Sequence, residues 1–293
     1  MLLGGVHGDE PVGTVLVDRL RFAFGLAGVA AETESDDVRG TLVLAYGNPV
    51  ALRRCTRAAE GRRDLNRWFL PKDIGRAPSE TDAEDLRRAR ALAPLLAAAS
   101  YALDLHGSSS DSPPFLCALS ITARHRALAP LFDVPYVLGD PHGFLAADLG
   151  LREAGTTDGW VGRHGGCGFG YETGRQDDFS RAEIAWAGVR RFLVATGVLA
   201  PEADERCFGL RPAPPAAPPV FYELLCCTAA EEDGFRYLPG RNQGWTPVRT
   251  GEPIGQYPSR RLVCAGMGGL LVFPKAPRLV RRGENLFYVA AKT

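Results

Sequence analysis

No uncharged apolar run in these 293 residues approaches the ~20 needed to span a bilayer. A secretory signal is missing as well, because Met1-Leu2-Leu3 meets Gly4-Gly5 and His7 too early for an apolar core region. Net charge is also absent: Lys+Arg and Asp+Glu number 34 each, so the chain lacks the excess of cations from which general nucleic-acid binders draw their affinity. Membrane and nucleic acid are thereby set aside as partners, and a soluble, cytoplasmic protein is expected. The seven cysteines include no C-x-x-C pair, which argues against a thiolate zinc knot or a disulfide framework and leaves them as small apolar residues. No repeat period and no G-x-S-x-G motif occur, so Ser108-Ser109-Ser110 is read as a loop rather than a nucleophile elbow.

What remains is a chain with 45% hydrophobic residues, enough to bury a sizeable core. Short apolar runs alternate with helical patterns over its first two thirds, which predicts an α/β sheet with helices on its faces. The strand candidates are Met1–Val6, Thr41–Tyr46, Tyr101–Leu105, Phe115–Leu119, Pro135–Leu138 and Gly168–Thr173. Helices are expected near Pro11–Phe24, Ser79–Ala99, Ala123–Phe132 and Ser180–Thr196, with capping boxes at Ser79/Asp82 and Ser180/Glu183. Five prolines in Arg211–Pro219 each fix φ and remove a donor, which predicts a stiff linker. Beyond it, Val220–Leu225, Arg260–Ala265, Leu270–Phe273 and Leu286–Ala290 read as strands between Gly, Pro and Asn turns. The expected organisation is therefore a domain over 1–204, a linker over 205–219 and a small all-β domain over 220–293.

Four segments carry chemistry. In His7-Gly8-Asp9-Glu10, an imidazole and a carboxylate emerge from one tight turn at a helix entrance, either as ordinary solvated or helix-capping groups or as a pair that suits Zn²⁺. His106 ends the apolar run Tyr101–Leu105, at the carboxyl end of a strand, where open α/β sheets gather their ligands; it is either a third ligand or a hydrogen-bonded loop residue. Asp104, two residues earlier, faces the same side of that strand; it either supports His106 or is simply a paired buried acid. The segment Arg63-Asp64-Leu65-Asn66-Arg67, preceded by Arg53, Arg54 and Arg57, is either a solvated basic loop or a receptor for a carboxylate, which a guanidinium fork and an amide would bind well. Glu172, in Gly168–Gly174, lies among apolar and glycine neighbours, either as an acid–base group beside a metal or as a buried acid paired with Arg163 or Arg175. His125, His142 and His164 have no partner spacing and are read as surface or structural, and Tyr288 as a packed aromatic unless the C-terminal domain folds over the site and brings it in.

In this order, His7-Gly8-Asp9-Glu10, Asp64-Leu65-Asn66-Arg67-x-Phe69, Asp104-Leu105-His106-Gly107 and Glu172-Thr173-Gly174 resemble the succinylglutamate desuccinylase/aspartoacylase family of zinc carboxypeptidase-like hydrolases. The resemblance covers most of residues 1–200. It implies a mixed eight-stranded sheet flanked by helices, one Zn²⁺ held by His7, Glu10 and His106, and hydrolysis of an N-acyl amino acid amide. It further implies that Glu172 activates water and that Arg57 polarises the scissile carbonyl, with Arg62 and Arg63 as alternatives to Arg57. Asn66 and Arg67 would take a substrate carboxylate. The first motif lies so near Met1 that either the opening strand is short or the natural start lies upstream. The C-terminal segment resembles a hammerhead or biotinyl-like barrel without an attachment lysine and is expected to be a cap. The alternatives are a zinc carboxypeptidase acting on peptide C-termini and a metal-free carboxylate-binding protein on the same fold. The expected partner is a small carboxylate-bearing N-acyl substrate, and a homo-oligomer is left open.

Overall fold

The computed structural model describes residues 1–26, 34–61, 63–151 and 153–293. Its first part runs β1 (Leu2–Gly4), α1 (Val12–Ala23), β2 (Leu44–Tyr46), α2 (Pro49–Arg54), α3 (Pro71–Ile74), α4 (Glu84–Ala98), β3 (Tyr101–Ser108) and β4 (Phe115–Ala118). There follow α5 (Ala123–Leu128), β5 (Tyr136–Gly139), α6 (Thr157–Arg163), β6 (Cys167–Arg175), α7 (Arg181–Ala195) and α8 (Pro201–Phe208). The remainder forms β7 (Val220–Ala229), β8 (Arg236–Tyr237), β9 (Thr246–Val248), β10 (Pro253–Gln256), β11 (Arg261–Val263), β12 (Gly269–Val272) and β13 (Asn285–Lys292).

Alternation along the strands divides the core into two layers. Leu2, Leu103, Leu105, Phe169 and Tyr171 face α1 and α7, packing on Leu16, Val17, Val189 and Phe192. Leu3 and Ala102 face the other way, toward Leu92 and Leu96 of α4 and Trp160 of α6. Asp104 and His106 share the face of Ala102, so the chemistry of β3 lies on the α4/α6 side. The result is a mixed α/β sheet flanked by helices, in the order β2-β1-β3-β6-β4-β5-β7-β13-β12-β9. It has ten strands among the described residues, where the resemblance implied eight. The reason is the parallel pairing of β7 with β5, through which β13, β12 and β9 continue the same sheet. A separate antiparallel sheet, β11-β10-β8, closes a second core around Phe235, Ile254 and Tyr257.

Three local expectations change. The long helix starts at Glu84 rather than Ser79, because Asp82, which accepts from Ser79 N at 2.8 Å, is drawn to Arg76 and Arg90 in a turn before the helix. At α7, Ser180 stands at the expected N-cap, but its hydroxyl goes to Asp178 and Glu183 pairs with Arg19 instead of closing the box. Residues 205–208, expected in the linker, belong to α8, whose Asp204 is locked to buried Arg190 at 2.9 Å. No helix among the described residues is long and apolar enough to cross a membrane.

Candidate metal centre and adjoining cavity

The turn after β1 is built on close backbone approach. A Cβ at Gly8 would sit 2.0 Å from the Ala51 carbonyl carbon, so the second position of His7-Gly8-Asp9-Glu10 has no room for a side chain. The facing helix, α2, is capped by Asn48, whose amide oxygen accepts from Ala51 N and whose nitrogen donates to Asp85 at 2.8 Å. Fully buried Asp85 also accepts from Ala59 N and Glu60 N at 3.3 and 2.9 Å, which pins the loop that carries Arg57. Asp85→Ala leaves these donors short of a partner and is expected to lower stability by about 3 kcal/mol in urea unfolding. A change within about 0.5 kcal/mol, the size of an ordinary surface substitution, would show the loop to be held otherwise.

His7, Glu10 and His106 converge. All three are buried, and one ligand-capable atom from each lies within 4.8 Å of the others. His7 Nδ1 is 2.8 Å from Glu10 Oε1, His106 Nδ1 is 2.9 Å from Glu10 Oε2, and the ring centroids are 4.9 Å apart. Gly107 N also donates to Glu10 Oε2. Each imidazole turns its other nitrogen to a second acid: His7 Nε2 is 3.3 Å from Asp64 Oδ1, and His106 Nε2 is 3.0 Å from Asp104 Oδ2. Asp104 thus supports His106, and it accepts from Thr157 Oγ1 as well. Burial opposes the charge of both imidazoles, yet the acids around them hold His7 above and His106 well above the ordinary histidine value. Burial likewise opposes the Glu10 charge, but His7 and His106 prevail and keep it below the usual carboxylate range.

Two nitrogens and one carboxylate, with an acid behind each imidazole, form a donor set suited to Zn²⁺. Buried His7 Nε2 lies close to Asp64 without an aligned hydrogen bond, and Asp104 Oδ1 is likewise buried without a partner among the described residues. The residues present therefore fit the metal.

Glu172 is the register partner of His106 across β3 and β6, so both point to the same face. Neither suggested arginine meets it: Arg163 pairs with Glu153, and Arg175 with Asp177. Its partner is buried Ser108, whose hydroxyl donates to Oε2 at 3.2 Å. Between His106 and Ser108 the register shifts by an extra residue of β6, where Gly174 takes φ +110°, a backbone that suits glycine. Burial, opposed first by His106, pushes the Glu172 carboxyl up to about 7.

A cavity of about 710 Å³ opens over these groups, lined also by Arg57, Asn66 and Arg67. Arg57 is half-exposed; its Nε donates to Asp64 Oδ2 at 3.1 Å, and its Nη1 lies 3.4 Å from Glu10. Arg63 turns away, over the Trp68 ring and onto Asp73, while Arg62 lies outside the described residues. Asn66 Oδ1 accepts from Thr157 N, and its Nδ2 sits 3.5 Å from His106 Nε2. Arg67 donates to Asn66 O and has no ion-pair partner among the described residues. The opposite wall comes from the C-terminal strands: Phe273, Lys275, Leu279, Asn285 and Tyr288. Tyr288 is thus a cavity residue as well as a packed one, a placement that only the pairing of β13 with β7 creates. His125 is structural and buried rather than at the surface, bound to Thr122 and Gly168 O.

Residues 1–194 match the succinylglutamate desuccinylase/aspartoacylase catalytic domain. The chain belongs to that family. Among solved structures, the family member from Rhodobacter sphaeroides superposes with a TM-score of 0.72 at 22% identity, covering 100% of this chain and 85% of the other. The product-bound ectoine utilization protein EutE (DoeB) from Ruegeria pomeroyi gives 0.70 at 24% identity, covering 99% and 84%. Murine aminoacylase 3 gives 0.67 at 19%, covering 100% and 94%. These likenesses establish the zinc carboxypeptidase-like fold. A curated relative, the N-acyl-aromatic-L-amino acid amidohydrolase (carboxylate-forming) of Xenopus laevis, is 29% identical over 115 residues. That stretch is 38% of this chain and 34% of the relative, so the match spans about a third of the relative's length.

Proposed function

We propose that this family member is a zinc-dependent amidohydrolase that releases the amine from an N-acyl amino acid carrying a free carboxylate. The observation that carries the reading is the buried convergence of His7, Glu10 and His106, with Glu172 at the paired position of the next strand. His7, Glu10 and His106 would hold the metal through the two Nδ1 atoms and the carboxylate. When bound, zinc would supply Lewis acidity, bringing the pKa of water from 15.7 toward about 7 and polarising a carbonyl.

The chain's own groups supply the rest. Glu172, kept by burial near the middle of the pH scale, takes a proton from the attacking water and returns it to the leaving nitrogen. Arg57 donates to the carbonyl oxygen as negative charge develops there. Asn66 and Arg67 hold the substrate carboxylate, Arg67 because its guanidinium, tethered to Asn66 O, meets no carboxylate among the described residues. Residues 1–204 would carry the chemistry, and 220–293 would form the far wall that narrows access, favouring small substrates over peptides.

The test is a panel of acetyl-, formyl- and succinyl-amino acids and short peptides, followed by amine release with and without added zinc. Zinc-dependent release from the single acylated amino acids supports the reading. Release from peptides alone would make the protein a carboxypeptidase, and no release with no zinc uptake would leave a carboxylate-binding protein. Arg67→Ala is expected to raise KM for carboxylate-bearing substrates about tenfold or more, the loss of a charge-assisted pair, while sparing their neutral amides. An equal loss for both would remove the clamp.

A further inference from the structure

We infer that Asp64 is a positioning residue which sets a metal-ligand imidazole and the carbonyl-polarising arginine with a single carboxylate. The inference rests on the proposed roles of His7 and Arg57, and goes beyond them. Asp64 is buried, and its two oxygens serve different halves of the site. Oδ1 lies 3.3 Å from His7 Nε2 and accepts from Asn66 N at 2.9 Å. Oδ2 accepts from Arg57 Nε at 3.1 Å. Since His7 Nδ1 faces Glu10 and His106, the proton belongs on Nε2, beside the Asp64 carboxylate, whose negative charge favours that tautomer.

Arg57 depends on the same group. Its side chain is 51% exposed, and its contact with Glu10 is the longer one at 3.4 Å, so the bond to Asp64 is what aims the guanidinium inward. Through Asn66 N, Asp64 also starts the single 3₁₀ turn, Leu65–Arg67, that presents Asn66 and Arg67 to the cavity. Metal ligand, carbonyl donor and carboxylate clamp thereby share one anchor. An amide at this position has one acceptor and one donor, so it cannot accept from His7, Arg57 and Asn66 together. Asp64→Asn keeps the size of the side chain, removes the negative charge beside His7 Nε2 and must give up at least one of these contacts.

The experiment combines zinc competition against a chromophoric chelator with a kinetic cycle of Asp64→Asn, Arg57→Ala and the double variant at saturating zinc. Asp64→Asn is expected to weaken zinc binding roughly 10–100-fold, the cost of losing an outer partner of a ligating histidine. It is also expected to lower kcat at saturating zinc, and to add no further loss once Arg57 is already alanine. Unchanged zinc affinity, or losses that simply multiply in the double variant, would overturn the inference. Should Asp64→Asn not fold, the zinc-loaded wild type still decides. Its ¹H–¹⁵N spectrum is expected to place the His7 proton on Nε2, exchange-protected and shifted downfield, and a His7 protonated on Nδ1 would overturn the inference. A wild type that takes up no zinc overturns the proposed function along with it, whereas zinc uptake that is indifferent to Asp64 overturns the inference alone.

Discussion

Glu172→Gln is expected to lose about a thousandfold in kcat while taking up zinc as fully as the wild type, the scale of a missing acid–base group. The substitution is nearly isosteric, and the hydroxyl of Ser108 still finds an acceptor in the amide oxygen. KM is expected to stay close to the wild-type value, since the proposed carboxylate clamp lies on Asn66 and Arg67. Stability supplies an independent reading. The folded carboxyl titrates near 7 and its ordinary value is 4.5, so between those values the folded state holds a proton that the unfolded state has lost. The metal-free wild type therefore loses stability as pH rises through that window, and carries the full cost of the buried charge above it. The glutamine variant escapes this loss, so the gap between the two widens from pH 4.5 to about 7. Parallel stability curves would mean that the carboxyl is not held up by burial, and an unchanged kcat would remove its acid–base role.

Replacing His7 or His106 with alanine should abolish stoichiometric zinc uptake and amide hydrolysis together. Each loss removes a nitrogen donor outright, so the drop in affinity should exceed the roughly 10–100-fold cost of losing an outer partner. His106→Ala also strands Asp104, 1% exposed and 3.0 Å from the imidazole, as a buried acid without its cationic neighbour. That variant should consequently be less stable than the wild type in the metal-free state. Elemental analysis after dialysis, run beside thermal unfolding, separates metal loss from misfolding. One zinc per chain retained in both variants would contradict the ligand assignment.

Much of this site can be read before any coordinates, because its chemistry sits where secondary structure ends. His7-Gly8-Asp9-Glu10 follows the first apolar run, and His106 and Asp104 share one face of a strand through simple alternation. What the motifs cannot convey is which acid stands behind which imidazole. Asp104 reaches His106 within its own strand, whereas Asp64 reaches His7 only because α2 and Asp85 fold the intervening loop back. The far wall of the cavity is not written in any local motif for the same reason: Phe273 and Tyr288 arrive through the pairing of the C-terminal strands with β7 and of β7 with β5. Ser79 shows the opposite failure, a local signal overridden when Asp82 found two arginines. Short helices such as α2 and α6, with few residues and no full apolar period, escape pattern reading altogether.

Anomalous diffraction from zinc-soaked crystals, recorded at the zinc absorption edge, is the most direct measurement. The account predicts one strong peak per chain, at about 2.0–2.2 Å from His7 Nδ1, His106 Nδ1 and a Glu10 oxygen, with Glu172 facing it across the cavity. A peak elsewhere, or none at these three side chains in well-ordered crystals, would contradict it.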